Sequence, residues 1–204
     1  MSVPLEQLES LALTLYDIGA VQLGNFTLHS GRTSLIYLDL RILVSYPRAL
    51  REATAAYRAL LETLDFDILA ATPLAGLPIG TAICLDMDKP LIYPRKTAKS
   101  YGTGKSIEGK WQVGQTAVVV DDLVTSGDSI LQAIVPLKVA GLQVRDSVVL
   151  IDREQGGVAM LQDQGYTLHA VVGLRQLLRL LAGNGRISDE QRLKVLQSLS
   201  LSDG

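Results

Sequence analysis

The chain has 204 residues, 48% of them hydrophobic and 20% charged, with a formal net charge of −2. That balance excludes a disordered polar chain and a global basic field for nucleic acid or an anionic membrane, and no apolar run reaches the length of a membrane span. Cys84 is the only cysteine, which excludes an intrachain disulfide and fits a reducing compartment.

The start, Met1-Ser2-Val3-Pro4-Leu5-Glu6, carries an acid where a secretory signal has its positive region, so the expected location is cytoplasmic. Leu5, Leu8, Leu11, Leu15 and Ile18 recur at helical spacing and Gly19 stops the run, predicting a first helix. Phe26-Thr27-Leu28 and Leu35-Ile36-Tyr37-Leu38, separated by Ser30-Gly31-Arg32, predict a hairpin. Arg41 beyond it reads as a structural ion-pair partner. Pro47 opens a helix whose inner face carries Leu50, Ala53, Tyr57, Leu60 and Leu61. Strands and helices then alternate: strand 68–70, helix 76–85, strand 90–93, a loop over 95–115, strand 116–120, helix 128–140, strand 144–151, helix 155–164 and strand 167–172. A helix over 174–182, a Gly183-Asn184-Gly185 break and a helix capped by Ser188 follow. Such alternation, with strands apolar on both faces, predicts an α/β fold with a mostly parallel central sheet flanked by helices, in a single domain over 1–204. Cys84 reads as a buried core thiol, and His169 as a strand residue with a satisfied ring.

The stretch Val118-Val119-Val120-Asp121-Asp122-Leu123-Val124-Thr125-Ser126-Gly127-Asp128-Ser129 carries the chemistry. Three β-branched residues predict a buried strand that two carboxylates end, and a short Thr/Ser/Gly loop then opens into a helix. Backbone N–H groups and the positive helix end suit a phosphate, while the carboxylates can accept hydrogen bonds from ribose hydroxyls or support a Mg²⁺ shell. The carboxyl ends of parallel strands are where ligands bind in such folds. Aspartates that merely cap a strand–turn–helix would give the same pattern. A second segment, from Arg95 to Gly109, holds four cations and three glycines in an otherwise acidic chain. It suits a flexible lid over a polyanion, or a solvated basic loop.

The first stretch resembles the phosphoribosyl diphosphate (PRPP) motif of the type I phosphoribosyltransferases. Phe26-Thr27-Leu28-His29-Ser30-Gly31, Ile36-Tyr37-Leu38-Asp39-Leu40-Arg41, Arg95-Lys96 with Lys99 and Tyr101-Gly102-Thr103, and Asp152-Arg153-Glu154-Gln155-Gly156-Gly157 stand in the order found in orotate phosphoribosyltransferases. The resemblance runs from about residue 6 to about residue 195 and is nearest to the form fused in UMP synthase. It implies the type I phosphoribosyltransferase fold, with a small hood and a flexible catalytic loop. It also implies transfer of phosphoribosyl from PRPP to orotate in pyrimidine biosynthesis, Mg²⁺ as cofactor, and a homodimer whose loop reaches the neighbouring site. Asp121 and Asp122 would hold the ribose hydroxyls and support Mg²⁺. Thr125, Ser126, Gly127, Asp128 and Ser129 would wrap the 5′-phosphate. Arg95, Lys96 and Lys99 would meet the pyrophosphate, with Lys99 assisting the leaving group and Tyr101 in the same loop. Arg153 would sit near orotate, with Tyr37 and Leu38 in the base pocket and His29 at the pyrophosphate or base end. No nucleic acid or membrane partner is expected.

The pattern breaks at four places. His29 replaces a lysine. Ala71, Leu74 and Ala75 replace a glycine, an aromatic and a polar residue in a loop where the family has a strained peptide. Asp128 stands where a serine or threonine usually faces the 5′-phosphate, and Leu35 replaces a proline. Weaker PRPP binding than in a typical member is therefore expected. A transferase for another base and a non-catalytic PRPP or nucleotide sensor are the competing readings.

Overall fold

The computed structural model describes residues 3–27, 33–95 and 106–200. Helix α1 (Leu5–Asp17) buries Leu8, Leu11, Ala12 and Leu15 along one stripe, as its spacing predicts. The hairpin is longer than predicted. Strand β1 (Val21–Thr27) pairs antiparallel with β2 (Thr33–Leu38), with Val21 opposite Leu38 and Thr27 opposite Thr33, in a two-stranded sheet of its own. A short 3-10 segment, Leu40–Ser45, follows, too brief for any periodicity to reveal. Asp39 caps it by accepting from the Arg41 N–H, and the Arg41 guanidinium returns to the same carboxylate at 2.7 and 3.0 Å. Arg41 is thus the ion-pair partner expected.

The remainder alternates: α2 (Pro47–Leu61), β3 (Ile68–Ala71), α3 (Gly76–Met87), β4 (Leu91–Pro94), β5 (Ile107–Glu108), β6 (Thr116–Val124), α4 (Asp128–Val139), β7 (Gln143–Asp152), α5 (Gly157–Asp163), β8 (Thr167–Gly173), α6 (Leu174–Gly183) and α7 (Asp189–Ser200). Among the described residues six strands form one sheet in the order β5-β4-β3-β6-β7-β8, parallel except for β5, which runs antiparallel to β4. Alternate residues of the central strands feed two cores. Val118 and Val120 pack with Leu11, Tyr57, Ile83 and Leu178 on the α1, α2, α3 and α6 side. Ala117 and Val119 pack with Ile130, Ile134 and Leu161 on the α4 and α5 side. Ser188 caps α7 reciprocally: its Oγ accepts from the Gln191 N–H at 3.1 Å, and Gln191 Oε1 accepts from the Ser188 N–H at 2.8 Å.

Four expectations are corrected. The stretch predicted as loop over 95–115 contains β5, because Ile107 buries its side chain in the second core. Strand β6 does not end at Val120; it continues through both aspartates to Val124, held by pairing of Asp121 with Val149 and Val124 with Asp152 on β7. Helix α5 starts at Gly157 rather than 155, since Glu154 and Gly156 have φ of 56° and 89°, outside helical space. Cys84 is only partly buried, packed against the first core. His169 Nε2 lies 2.8 Å from Asp146 Oδ1, so its ring is satisfied. Among the described residues no helix is long and apolar enough to cross a membrane.

Candidate active site

Because β6 runs through the acid pair, successive side chains project to opposite faces of the sheet. Asp121 shares the face of Val119 and looks toward α4, whereas Asp122 shares the face of Val120 and looks toward α2 and α3. Asp121 is buried, with 5% of its surface exposed. Its Oδ1 accepts from the Thr72 hydroxyl and, at 2.9 Å, from the Asp122 N–H, and its Oδ2 accepts from Ser129 Oγ at 3.1 Å. The Tyr57 hydroxyl donates to the Asp121 carbonyl at 2.6 Å. Burial, then the charges of Asp122 and Asp121, push the Tyr57 phenol well above its usual pKa, so it remains a donor.

Asp122 is held differently. Its Oδ1 accepts from the Leu123 N–H at 2.8 Å. Burial, and then the adjacent Asp121 charge, push its carboxyl from 3.8 up to about 7. A carboxyl near neutrality is poised to ionise when a cation or hydroxyl donor arrives.

Helix α4 begins immediately after the 125–127 loop. Gly127, with φ of 90°, occupies its N-cap and supplies no side-chain cap, so the first-turn N–H groups of this 12-residue helix are open toward the loop. The Ser126 hydroxyl donates to Asp128 Oδ2 at 2.7 Å, so two of the residues assigned to the 5′-phosphate are engaged with each other. Ser129 turns its hydroxyl to Asp121 instead. The wall behind this loop comes from the second motif. A Cβ on Gly157 would lie 2.7 Å from Val124 Cγ2 and 2.8 Å from the Thr125 carbonyl oxygen, so only glycine lets α5 approach so closely. The Arg153 N–H donates to the Val124 carbonyl at 3.0 Å, tying the same two segments together.

A cleft of about 360 Å³ opens on the α4 side, lined by Thr72, Pro73, Pro94, Arg95, Ser129 and Gln132 among others. Arg95 directly follows β4 and is pinned twice: its N–H donates to the Ser106 carbonyl at 2.8 Å, and its guanidinium pairs with Glu108. Residues 96–105 therefore join the two strands of an antiparallel pair. The Pro73–Leu74 peptide, in the loop where the resemblance implies a strained one, is cis. Arg153 is partly buried; its Nε has no hydrogen-bond partner among the described residues, and burial lowers its pKa. A buried guanidinium with an open donor is suited to a ligand carboxylate. Tyr37 contacts Phe26 at 5.4 Å between ring centroids and accepts from Arg41 Nη2 at 3.1 Å, while Leu38 is partly spent on the first core.

The structure thus brings Asp121, Asp122, Thr125–Ser129, Arg153 and Arg95 around the ends of β6, β7 and β4. His29, Lys96, Lys99 and Tyr101 lie outside the described residues. Sequence reasoning missed Thr72, Tyr57, Glu108 and Gly157. A polar residue closing the buried run Ile68-Leu69-Ala70-Ala71 was the available signal for Thr72.

No family model matches the chain. It is 42% identical over 188 residues to the bifunctional enzyme PyrF/PyrE of Nostoc sp., covering 92% of this chain and 39% of that protein. The chain therefore spans about two fifths of the length of that relative. It is 38% identical over 187 residues to the orotate phosphoribosyltransferase of Pyrobaculum aerophilum, covering 91% of this chain and 96% of that one. The structure of Leishmania donovani UMP synthase superposes with a TM-score of 0.87 at 44% identity, covering 95% of this chain and 42% of that one.

Proposed function

The chain belongs to the orotate phosphoribosyltransferase family, and from that premise we propose that it transfers the phosphoribosyl group of PRPP to orotate. The products are orotidine 5′-monophosphate and pyrophosphate, in pyrimidine biosynthesis, with residues 1–204 acting as one transferase domain. The observation that carries this reading is the acid pair in the carboxyl-terminal part of β6 set against the uncapped start of α4. A sugar phosphate needs hydroxyl acceptors and a phosphate cradle a few ångströms apart, and that is the arrangement these elements supply.

The reaction develops cationic character at the anomeric carbon and several negative charges on the leaving group, so positioning and charge stabilisation dominate. Asp121 and Asp122 hold the ribose hydroxyls, the α4 N–H groups take the 5′-phosphate, and Arg153 takes the orotate carboxylate beside Tyr37 and Leu38. On this reading Arg95, Lys96 and Lys99 would pair with the pyrophosphate, Lys99 assisting its departure, and Tyr101 and His29 would contribute to substrate binding. Among the described residues no group of three or more His, Cys, Asp or Glu side chains gathers into a metal cage. Asp122 is partly exposed and keeps open acceptor sites. That donor set fits a Mg²⁺ that arrives on the substrate phosphates and keeps most of its waters. Bound there, the ion neutralises leaving-group charge. A homodimer with shared sites, in the cytoplasm, completes the proposal.

Loss of orotate absorbance with PRPP and Mg²⁺ tests it, beside a Lys99→Ala variant. Turnover in the parent and a fall of roughly a hundredfold or more in the variant are expected. PRPP binding without turnover would instead favour the sensing reading, for which the departures at His29, Ala75 and Asp128 speak; turnover of a different base would replace orotate in the proposal.

A further inference from the structure

We propose that Thr72 is a positioning residue that acts through Asp121, tying the 71–76 loop to the acidic end of β6. The inference rests on the transferase reading and deepens the same site. Thr72 is 2% exposed, and it is held at both ends. Its N–H donates to the Val120 carbonyl at 2.9 Å, one residue before the acid pair, and its hydroxyl donates to Asp121 Oδ1. The packing leaves the hydroxyl little freedom. A Cβ on Gly76 would stand 2.6 Å from Thr72 Oγ1 and 2.7 Å from the Val120 carbonyl oxygen, so the start of α3 closes over this contact.

The acceptor count on Asp121 gives the contact its consequence. A carboxylate offers about four acceptor sites. Within the protein, Thr72, the Asp122 N–H and Ser129 Oγ occupy three of them. Roughly one remains for a substrate hydroxyl, and its direction depends on how the carboxylate is rotated. Two of the three donors are set by the strand and by α4. The third belongs to the loop that lines the 360 Å³ cleft, so the rotation of Asp121 follows that loop. Asp122 makes no such commitment; its carboxylate accepts from the adjacent Leu123 N–H.

Thr72→Val keeps the side-chain shape and removes the donor, and Thr72→Ser keeps the donor and removes a methyl. PRPP binding with Mg²⁺ is measured by calorimetry for each, together with orotate kinetics and the thermal midpoint. Thr72→Val is expected to weaken PRPP binding about tenfold, as for loss of a hydrogen bond to a charged group. The KM for PRPP rises with it, while kcat and the KM for orotate stay within about twofold. Thr72→Ser restores binding to within about threefold of the parent. Equal losses in the Val and Ser variants would overturn the proposal. So would an unchanged PRPP affinity with kcat falling alongside the thermal midpoint, the mark of a purely structural residue. A parent that binds PRPP without consuming orotate refutes the orotate reading and leaves Thr72 to be judged on binding. A parent that does not bind PRPP overturns both.

Discussion

Replacing Asp122 with asparagine isolates the electrostatic cost built into the acid pair. In the folded chain the Asp122 carboxyl is pushed from 3.8 up to about 7, by burial first and by the Asp121 charge second. Its folded pKa lies above its unfolded one, so folding takes up a proton between those values. The stability this supplies is fully present below about pH 4 and is lost as pH rises through about 7. Raising a carboxyl across that interval sets on the order of 4 kcal/mol against its ionised form. Asp122 is only partly buried, so the share felt by folding at about pH 8 is nearer 1–2 kcal/mol. Asparagine keeps the shape and the Leu123 N–H acceptor without the charge. Asp122→Asn should therefore be more stable than the parent by about 1–2 kcal/mol at about pH 8, with the difference shrinking as pH falls below about 7 and vanishing only below about pH 4. It should also bind PRPP at least tenfold more weakly. Urea unfolding across about pH 4 to 8 reads the first effect and calorimetry the second. A variant less stable than the parent at alkaline pH, or a gain that ignores pH, would refute the reasoning.

The contact between the two motifs and the open guanidinium give two more expectations. Gly157→Ala forces a methyl to within 2.7 Å of Val124 Cγ2 and 2.8 Å of the Thr125 carbonyl oxygen. Urea unfolding should show a loss of about 1–3 kcal/mol, with PRPP affinity falling in step because the phosphate loop is displaced. Arg153→Leu removes a partly buried guanidinium whose Nε has no partner among the described residues. Its thermal midpoint should not fall, and paired titrations should show orotate binding lost with PRPP binding kept within about twofold; loss of both would remove Arg153 from the base end.

Most of the architecture was legible because the strands are short, apolar on both faces and separated by helices of clear period. Where reading failed, a local rule lost to pairing. Asp121 and Asp122 look like a strand end because carboxylates disfavour buried strands. The ladder to Val149 and Asp152 nonetheless carries β6 four residues further, and Thr72, Ser129 and backbone N–H groups satisfy the acid it buries. Ile107–Glu108 is too short a strand to signal itself, and only its antiparallel partner Tyr93–Pro94 defines it. The PRPP motif and the Arg153 segment could be picked out from residue types alone, since their chemistry is local. The contacts between them could not, because they depend on the space a Gly157 Cβ would fill. Thr72 was passed over for the same reason: a lone threonine beside apolar departures has meaning only once Asp121 is seen against it.

Those apolar departures change how the proposed site must balance charge. In the loop Ala71-Thr72-Pro73-Leu74-Ala75-Gly76, Thr72 is the only residue with a polar side chain, and it is committed to Asp121. Leu74 is 69% exposed and offers a diphosphate nothing but surface. Across the cleft, Arg95 is already neutralised by Glu108. Near the 5′-phosphate, Asp128 adds a negative charge to the first turn of α4, engaged by a neutral Ser126 hydroxyl rather than by a cation. On the proposed reading, then, the 71–76 loop brings no cation to the leaving group, and Arg95 meets it with a charge already shared with Glu108. The rest of that work falls, on the same reading, to the metal carried on PRPP and to Lys96 and Lys99. The arrangement suits a transferase better than a standing receptor for PRPP: charge carried on the metal can arrive with the substrate and leave with pyrophosphate. Full complementarity built into rigid β4, α3 and α4 would hold the product as firmly as the substrate.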